Sequence, residues 1–134
     1  MTFKEYCQEL EEVIAASYKR GTNATDAESF AAQFLQAQIK VSQELTSADL
    51  DARMRKSGVK AVRAAIYLDA ATKDPKKPTE AMLSALVDTN EVVQGEQNEL
   101  DKAEVHRDEM ERYYNIFREA HLYYRALSKE RHNE

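Results

Sequence analysis

Four basic residues, Arg53, Lys56, Lys60 and Arg63, stand 3, 4 and 3 positions apart. On an α-helix that spacing brings all four to one face. The row is ~15 Å long at ~1.5 Å per residue, enough to follow about two or three phosphates of a nucleic-acid strand. Lys73, Lys76 and Lys77 add three more cations just beyond it. A second mixture, Arg107, Arg118, Arg125 and Lys129 with Tyr114 among them, has the composition of a phosphate-and-stacking surface for single strands. Both rows have a plainer reading. The first can set the register of a helix pair against Glu91, Glu96 and Glu99. The second can be arginines snorkelling beside core aromatics.

Other chemistry is not found. There is no HExxH, no CxxC and no glycine-rich phosphate loop. None of His106, His121 and His132 has a Glu three residues before it, so the Glu-x-x-His signature of di-iron bundles is missing. Asp101, Glu104, Asp108 and Glu109 read as a solvated face, and His121 as a packed seam residue. Glu9 and Glu12 lack the ExxD companion that an all-α pyrophosphatase would need. The expectation is a protein that is not an enzyme, with no metal, cofactor or small-molecule substrate.

The totals agree with long helices. The 134 residues include only 3 Gly and 2 Pro, and 32% are charged, which indicates one all-α domain with helices longer than average. The single Cys7 permits no internal disulfide and suggests a reducing compartment. Asn23-Ala24-Thr25 is formally a glycosylation sequon, but it reads better as a turn and helix cap. No export signal or ~20-residue apolar span is visible, so no membrane partner is expected. The expected location is cytoplasmic. A net charge of −5 conceals blocks: residues 53–78 hold 8 basic and 2 acidic residues, and residues 79–111 hold 2 and 10.

The element that positions these groups is the tip, Asp74 to Thr79. Pro75 and Pro78 occur only there and forbid a continuous helix. Proline-free segments rich in helix formers lie on both sides, which predicts a long antiparallel helical hairpin, a coiled coil. Phe3, Tyr6, Cys7, Leu10, Val13 and Ile14 recur at helical spacing and predict a first helix over about 2–19 that ends at Gly21. A second is expected over 26–73, capped by Thr25 or Asp26 and open to a break near Thr46. Its inward residues are Phe30, Phe34, Ala37, Val41, Leu45 and Ala48. Further on, Met54, Ala61, Ala65 and Leu68 form one edge and Val59, Val62 and Ile66 the other. Gly58 marks a kink or a close approach.

The third helix is expected over 79–131, with only Gly95 interrupting. Met82, Leu86, Thr89, Val93, Glu96, Leu100, Ala103, Arg107, Met110, Tyr114, Phe117, His121 and Tyr124 repeat every ~3.5 residues. Tyr113, Tyr114, Phe117, Tyr123 and Tyr124 cover more than one face, so this stripe is either core or an oligomer interface. Folding about the tip sets it against Phe30, Phe34 and the first helix, giving a three-helix bundle at the terminal end. A thin core of this kind is commonly completed by homo-oligomerisation.

The stretch KAVRAAIYLDAATKDPKKPTEAMLSALVDTNEVVQ, followed by a long helix closing on IFREAHLYYRALSK, resembles small phage proteins of the UvsY-type recombination mediator family over residues 53–129. The resemblance implies an all-α, ring-like oligomer that binds single-stranded DNA. It further implies that such a protein helps load a RecA-like recombinase onto strands coated by single-strand-binding protein. It points to Lys60 and Arg63, just before Tyr67-Leu68, as DNA contacts. Where the family is richer in lysine and aromatics before the tip, this chain has Ala64, Ala65, Ala70 and Ala71. The other reading is a helical interaction module, a phage assembly factor or an inhibitor of a host or defence protein, with no nucleic acid.

Overall fold

The first residues already show how this chain starts helices. Thr2 accepts from the Glu5 N–H at 3.2 Å while the Glu5 carboxylate accepts from the Thr2 N–H at 3.2 Å, a reciprocal capping box. It opens α1 (Phe3–Arg20). Gly21 closes α1 at φ 75°, a backbone region that costs a side chain but not glycine, and its N–H returns to the Ser17 carbonyl. Buried Ser17 and Thr22 share a short hydroxyl–hydroxyl hydrogen bond across this turn.

Three further helices follow: α2 (Ala24–Lys73), α3 (Glu80–Thr89) and α4 (Glu91–His132). The structure, a computed structural model, describes residues 1–73 and 75–132, so Asp74 of the expected tip lies outside the described residues. The fold is all-α, with α2 and α4 packed on each other as a helical hairpin. The cap of α2 is Asn23, whose Oδ1 accepts from the Asp26 N–H at 2.8 Å, not Thr25 or Asp26. All three residue types can cap; the first one able to do so after the Gly21–Thr22 turn takes the role.

No break occurs near Thr46. Val41, Leu45, Ala48 and Ala52 present one continuous inward stripe through that point, and packing of such a stripe outweighs the modest helix propensity of Thr46 and Ser47. Farther along, Val59 is buried with Val62 and Ile66 half-buried, whereas Met54 and Leu68 are 66% and 61% exposed. Of the two edges seen in the sequence, the second is therefore inward. Gly58 marks no close approach: α2 continues through it, and a Cβ there would meet nothing within 4 Å.

The expected helix 79–131 is in fact two. Asn90 leaves the helical region at φ −68°, ψ 130°. Its Oδ1 accepts from the N–H groups of Val92 at 2.9 Å and Val93 at 3.2 Å, capping α4. The interruption shifts the phase of the seam by one residue. Leu83 and Val87 are buried, while Met82 and Leu86, which the ~3.5-residue repeat would place inward, are 61% and 48% exposed. From Val93 onward the repeat holds, through Leu100, Ala103, Met110, Phe117 and Tyr124.

Two compact units divide the chain. Unit 1, residues 1–45 and 109–134, is a three-helix bundle of α1, the start of α2 and the end of α4. Its core joins Cys7 and Leu10, Phe34 and Val41, and Met110, Tyr113, Phe117 and Tyr124. Phe34 stacks on Tyr124 at 5.6 Å and lies 5.8 Å from Phe117; such ring pairs add about 0.5–1.5 kcal/mol beyond burial. Unit 2, residues 46–108, is the hairpin proper: the rest of α2, the turn at Pro75–Thr79, α3 and the start of α4. Its seam is thin, formed by Ala48, Ala52, Val59, Leu83, Val87, Val93, Leu100 and Ala103.

Candidate nucleic-acid interface

In unit 2 the regular turn of α2 carries Arg53, Lys56 and Lys60 to an exposed edge, with Arg63 half-buried at its end. The row is partly matched by acids. Arg53 pairs with Asp49 at 3.0 Å and neighbouring Arg55 with Asp51 at 3.2 Å, each one turn away on the same helix. Arg63 reaches across the hairpin to Asp88 of α3 at 2.6 Å. The cross-hairpin partner is thus Asp88, not Glu91, Glu96 or Glu99. Among the described residues, Lys56 and Lys60 form no ion pair.

Two of the three tip cations have partners. Lys73 is not free: it pairs with Asp69 at 2.8 Å, one turn back along α2, and this carboxylate holds its ammonium above the usual lysine pKa. Lys76 also has an interaction partner. Lys77 is exposed. The proline turn leaves α2 long enough for an i,i+4 pair before the chain departs, which sequence blocks counted across the hairpin do not reveal.

Two shallow grooves meet at Arg63. One, of about 220 Å³, is lined by Arg63, Ala64, Tyr67, Ser84 and Val87. The other, of about 320 Å³, is lined by Arg63, Asp88, Val93, Gln94, Gln97 and Asn98. A guanidinium, a half-exposed tyrosine and three side-chain amides are groups that stack on bases and hydrogen-bond their edges. Sequence reading singled out Arg63 but not Asp88, Gln94, Gln97 or Asn98. The hairpin register counted outward from Pro75 and Pro78 pairs position 63 with position 90, so it points to this neighbourhood but falls two residues beyond Asp88.

Comparison with protein-family models, with curated proteins and with solved structures finds no match for this chain.

The second row and the aromatic stripe belong to unit 1 apart from Arg107, which in unit 2 contacts Asp108 at 3.1 Å and Glu104 at 4.0 Å. The stripe divides. Tyr113, Phe117 and Tyr124 are core, Tyr114 is half-buried with its hydroxyl 3.4 Å from Gln38 Nε2, and Tyr123 is 59% exposed. Arg118, Arg125 and Lys129 are exposed. Half-buried His121 places Nδ1 2.8 Å from the Ala31 carbonyl, a geometry in which that nitrogen donates. Cys7 is fully buried, and burial, with Glu109 and Glu11 nearby, pushes its thiol up to about 11. Among the described residues no group of three or more His, Cys, Asp or Glu could hold a metal ion, and no helix is long and apolar enough to cross a membrane.

Proposed function

We propose that this chain is a non-enzymatic accessory protein that holds single-stranded nucleic acid along the basic edge of α2 and acts as an oligomer. The surroundings of Arg63 carry the reading. One edge presents Lys56, Lys60 and Arg63, and the grooves meeting at Arg63 bring Tyr67 and three amides beside it. Phosphates can displace Asp49 and Asp88 at small cost, because exposed ion pairs contribute only about 0–1 kcal/mol. The resemblance to UvsY-type mediators supports the same site at Lys60 and Arg63 and suggests the partners, a RecA-like recombinase and a single-strand-binding protein.

A fluorescent oligonucleotide titrated at two salt concentrations tests this. About three phosphate contacts give a log–log salt slope of about −2 on a single strand. Lys56→Ala with Lys60→Ala removes two contacts and flattens the slope by about 1.4. Binding unaffected by that pair of changes removes the assigned site.

One observation favours a second reading. Leu50, Met54, Ala61, Ala65 and Leu68 share the outer face of α2, and Leu50, Met54 and Leu68 are all more than half exposed. An apolar stripe in water suits a helical partner. Under this reading the chain is an interaction module, and the oligonucleotide does not bind at either salt concentration.

A further inference from the structure

The seam between α1 and α4 in unit 1 is closed by charge along its first turns and left open beyond them. Lys4 pairs with Glu109 at 3.7 Å, and Glu11 with Arg112 at 3.3 Å. Arg112 also lies over the Tyr113 ring, 4.5 Å from its centroid. So the acids of this seam each hold a cation, and an aromatic face supports one of those cations.

Farther along the same two helices a groove of about 320 Å³ opens, with Ile14 and Ile116 in its wall and Tyr18, Tyr123, Tyr124 and Glu119 around it. Tyr18 is 88% exposed and Tyr123 59%. Glu119 is exposed and, unlike Glu109 and Glu11, has no ion pair or hydrogen bond among the described residues. The groove repeats the parts of the Glu11–Arg112–Tyr113 arrangement with the cation missing.

We propose that this groove binds a basic side chain, arginine or lysine, presented by a partner protein. The chemistry selects the occupant. A purely apolar group would desolvate Glu119 without compensation. An anion would meet a carboxylate. A guanidinium or ammonium gains a counter-charge from Glu119 and the faces of tyrosine rings, which attract cations within about 6 Å of the centroid. The aliphatic stem of the same side chain lies against Ile14 and Ile116. The proposal does not depend on the nucleic-acid reading, which concerns unit 2.

The test uses the full chain and a blocked glycine-arginine-glycine peptide, followed by amide chemical shifts in NMR. The lysine peptide is run beside it, with the citrulline peptide as the neutral isostere. The expected result is saturable shifts confined to residues 14–18 and 116–124 with the arginine and lysine peptides, and none with citrulline. Glu119→Gln and Tyr18→Ala each weaken binding, by roughly fivefold to tenfold. Both side chains are exposed, so neither change threatens the fold. Equal binding of citrulline, shifts spread over the acidic surface of residues 79–111, or indifference to Glu119→Gln overturns the proposal. So does a dimer dissolved by Glu119→Gln, which would mean that a second copy already fills the groove.

Discussion

Replacing Asn90 by alanine tests the logic of the hairpin at its least obvious point. Asn90 ends α3 and caps α4 through two N–H groups. Losing a cap costs ~1 kcal/mol. Alanine would gain about 0.7 kcal/mol over asparagine in a continuous helix. The balance between a broken and a continuous helix therefore swings by about 1.7 kcal/mol toward continuity, roughly twentyfold in their ratio. In the continuous form the repeat running back from Val93 reaches Leu86 and Met82, which turn inward while Leu83 and Val87 turn out. Both pairs are apolar and similar in size, so total stability should change by no more than about 1 kcal/mol. The rotation is read by peroxide oxidation of methionines and mass spectrometry. Met82 and Met54, 61% and 66% exposed, oxidise together in the parent chain, while Met110, 1% exposed, resists. In Asn90→Ala, Met82 slows severalfold relative to Met54, because a roughly twentyfold swing in the ratio turns a substantial share of the population inward. Asn90→Asp, which still caps, leaves it fast. If Met82 in Asn90→Ala keeps pace with Met54, the side-chain cap is not what sets the phase of α3, and the reasoning fails.

Asp88→Asn removes the cross-hairpin counter-charge of Arg63 at little structural cost, since both side chains are substantially exposed. Oligonucleotide affinity at low salt should rise severalfold, whereas a residue that only sets register would leave it unchanged. The Cys7 thiol should react with a thiol reagent only at the rate of unfolding. Its pKa is raised in the folded state, from 9.0 to about 11, so the folded chain holds the proton more tightly. The resulting stability, on the order of 3 kcal/mol, is present in full below pH 9 and is lost as pH rises through 11. Urea midpoints measured from pH 8 to 11 should fall, and less steeply in Cys7→Ser. Gly58→Ala should stabilise by about 0.5–1 kcal/mol, because a Cβ there meets nothing and the helix gains propensity; a lower urea midpoint would contradict this.

Helix positions were legible wherever a strong local signal stood alone. Pro75 and Pro78 announced the turn, Gly21 the end of α1, and Phe34, Val41 and Phe117 the inward face. Asn90 was passed over because asparagine inside a periodic stretch looks like a tolerated helical residue. Only the loss of the Met82–Leu86 phase betrays it. The candidate site was legible in part for a similar reason. Arg53, Lys56, Lys60 and Arg63 form a row by spacing alone, but which of them meets an acid, and which acid, depends on rotamer and register. Arg53 found Asp49 on its own helix, and Arg63 found Asp88 across the hairpin.

What the chain by itself determined is the class of fold and its topology. Periodicity, scarce glycine and two prolines leave one economical solution, a hairpin closed by a first helix, because each amphipathic face must be buried against another. The tertiary structure decided the finer choices between chemically similar residues: Asn23 over Thr25 as cap, Leu83 and Val87 over Met82 and Leu86 as core, Asp88 over Glu91 as the partner of Arg63. It also decided which tyrosines are core and which line an open groove. These choices differ by only about 1 kcal/mol each in local terms. Packing along the whole length of a helix, summed over many contacts, is what settles them.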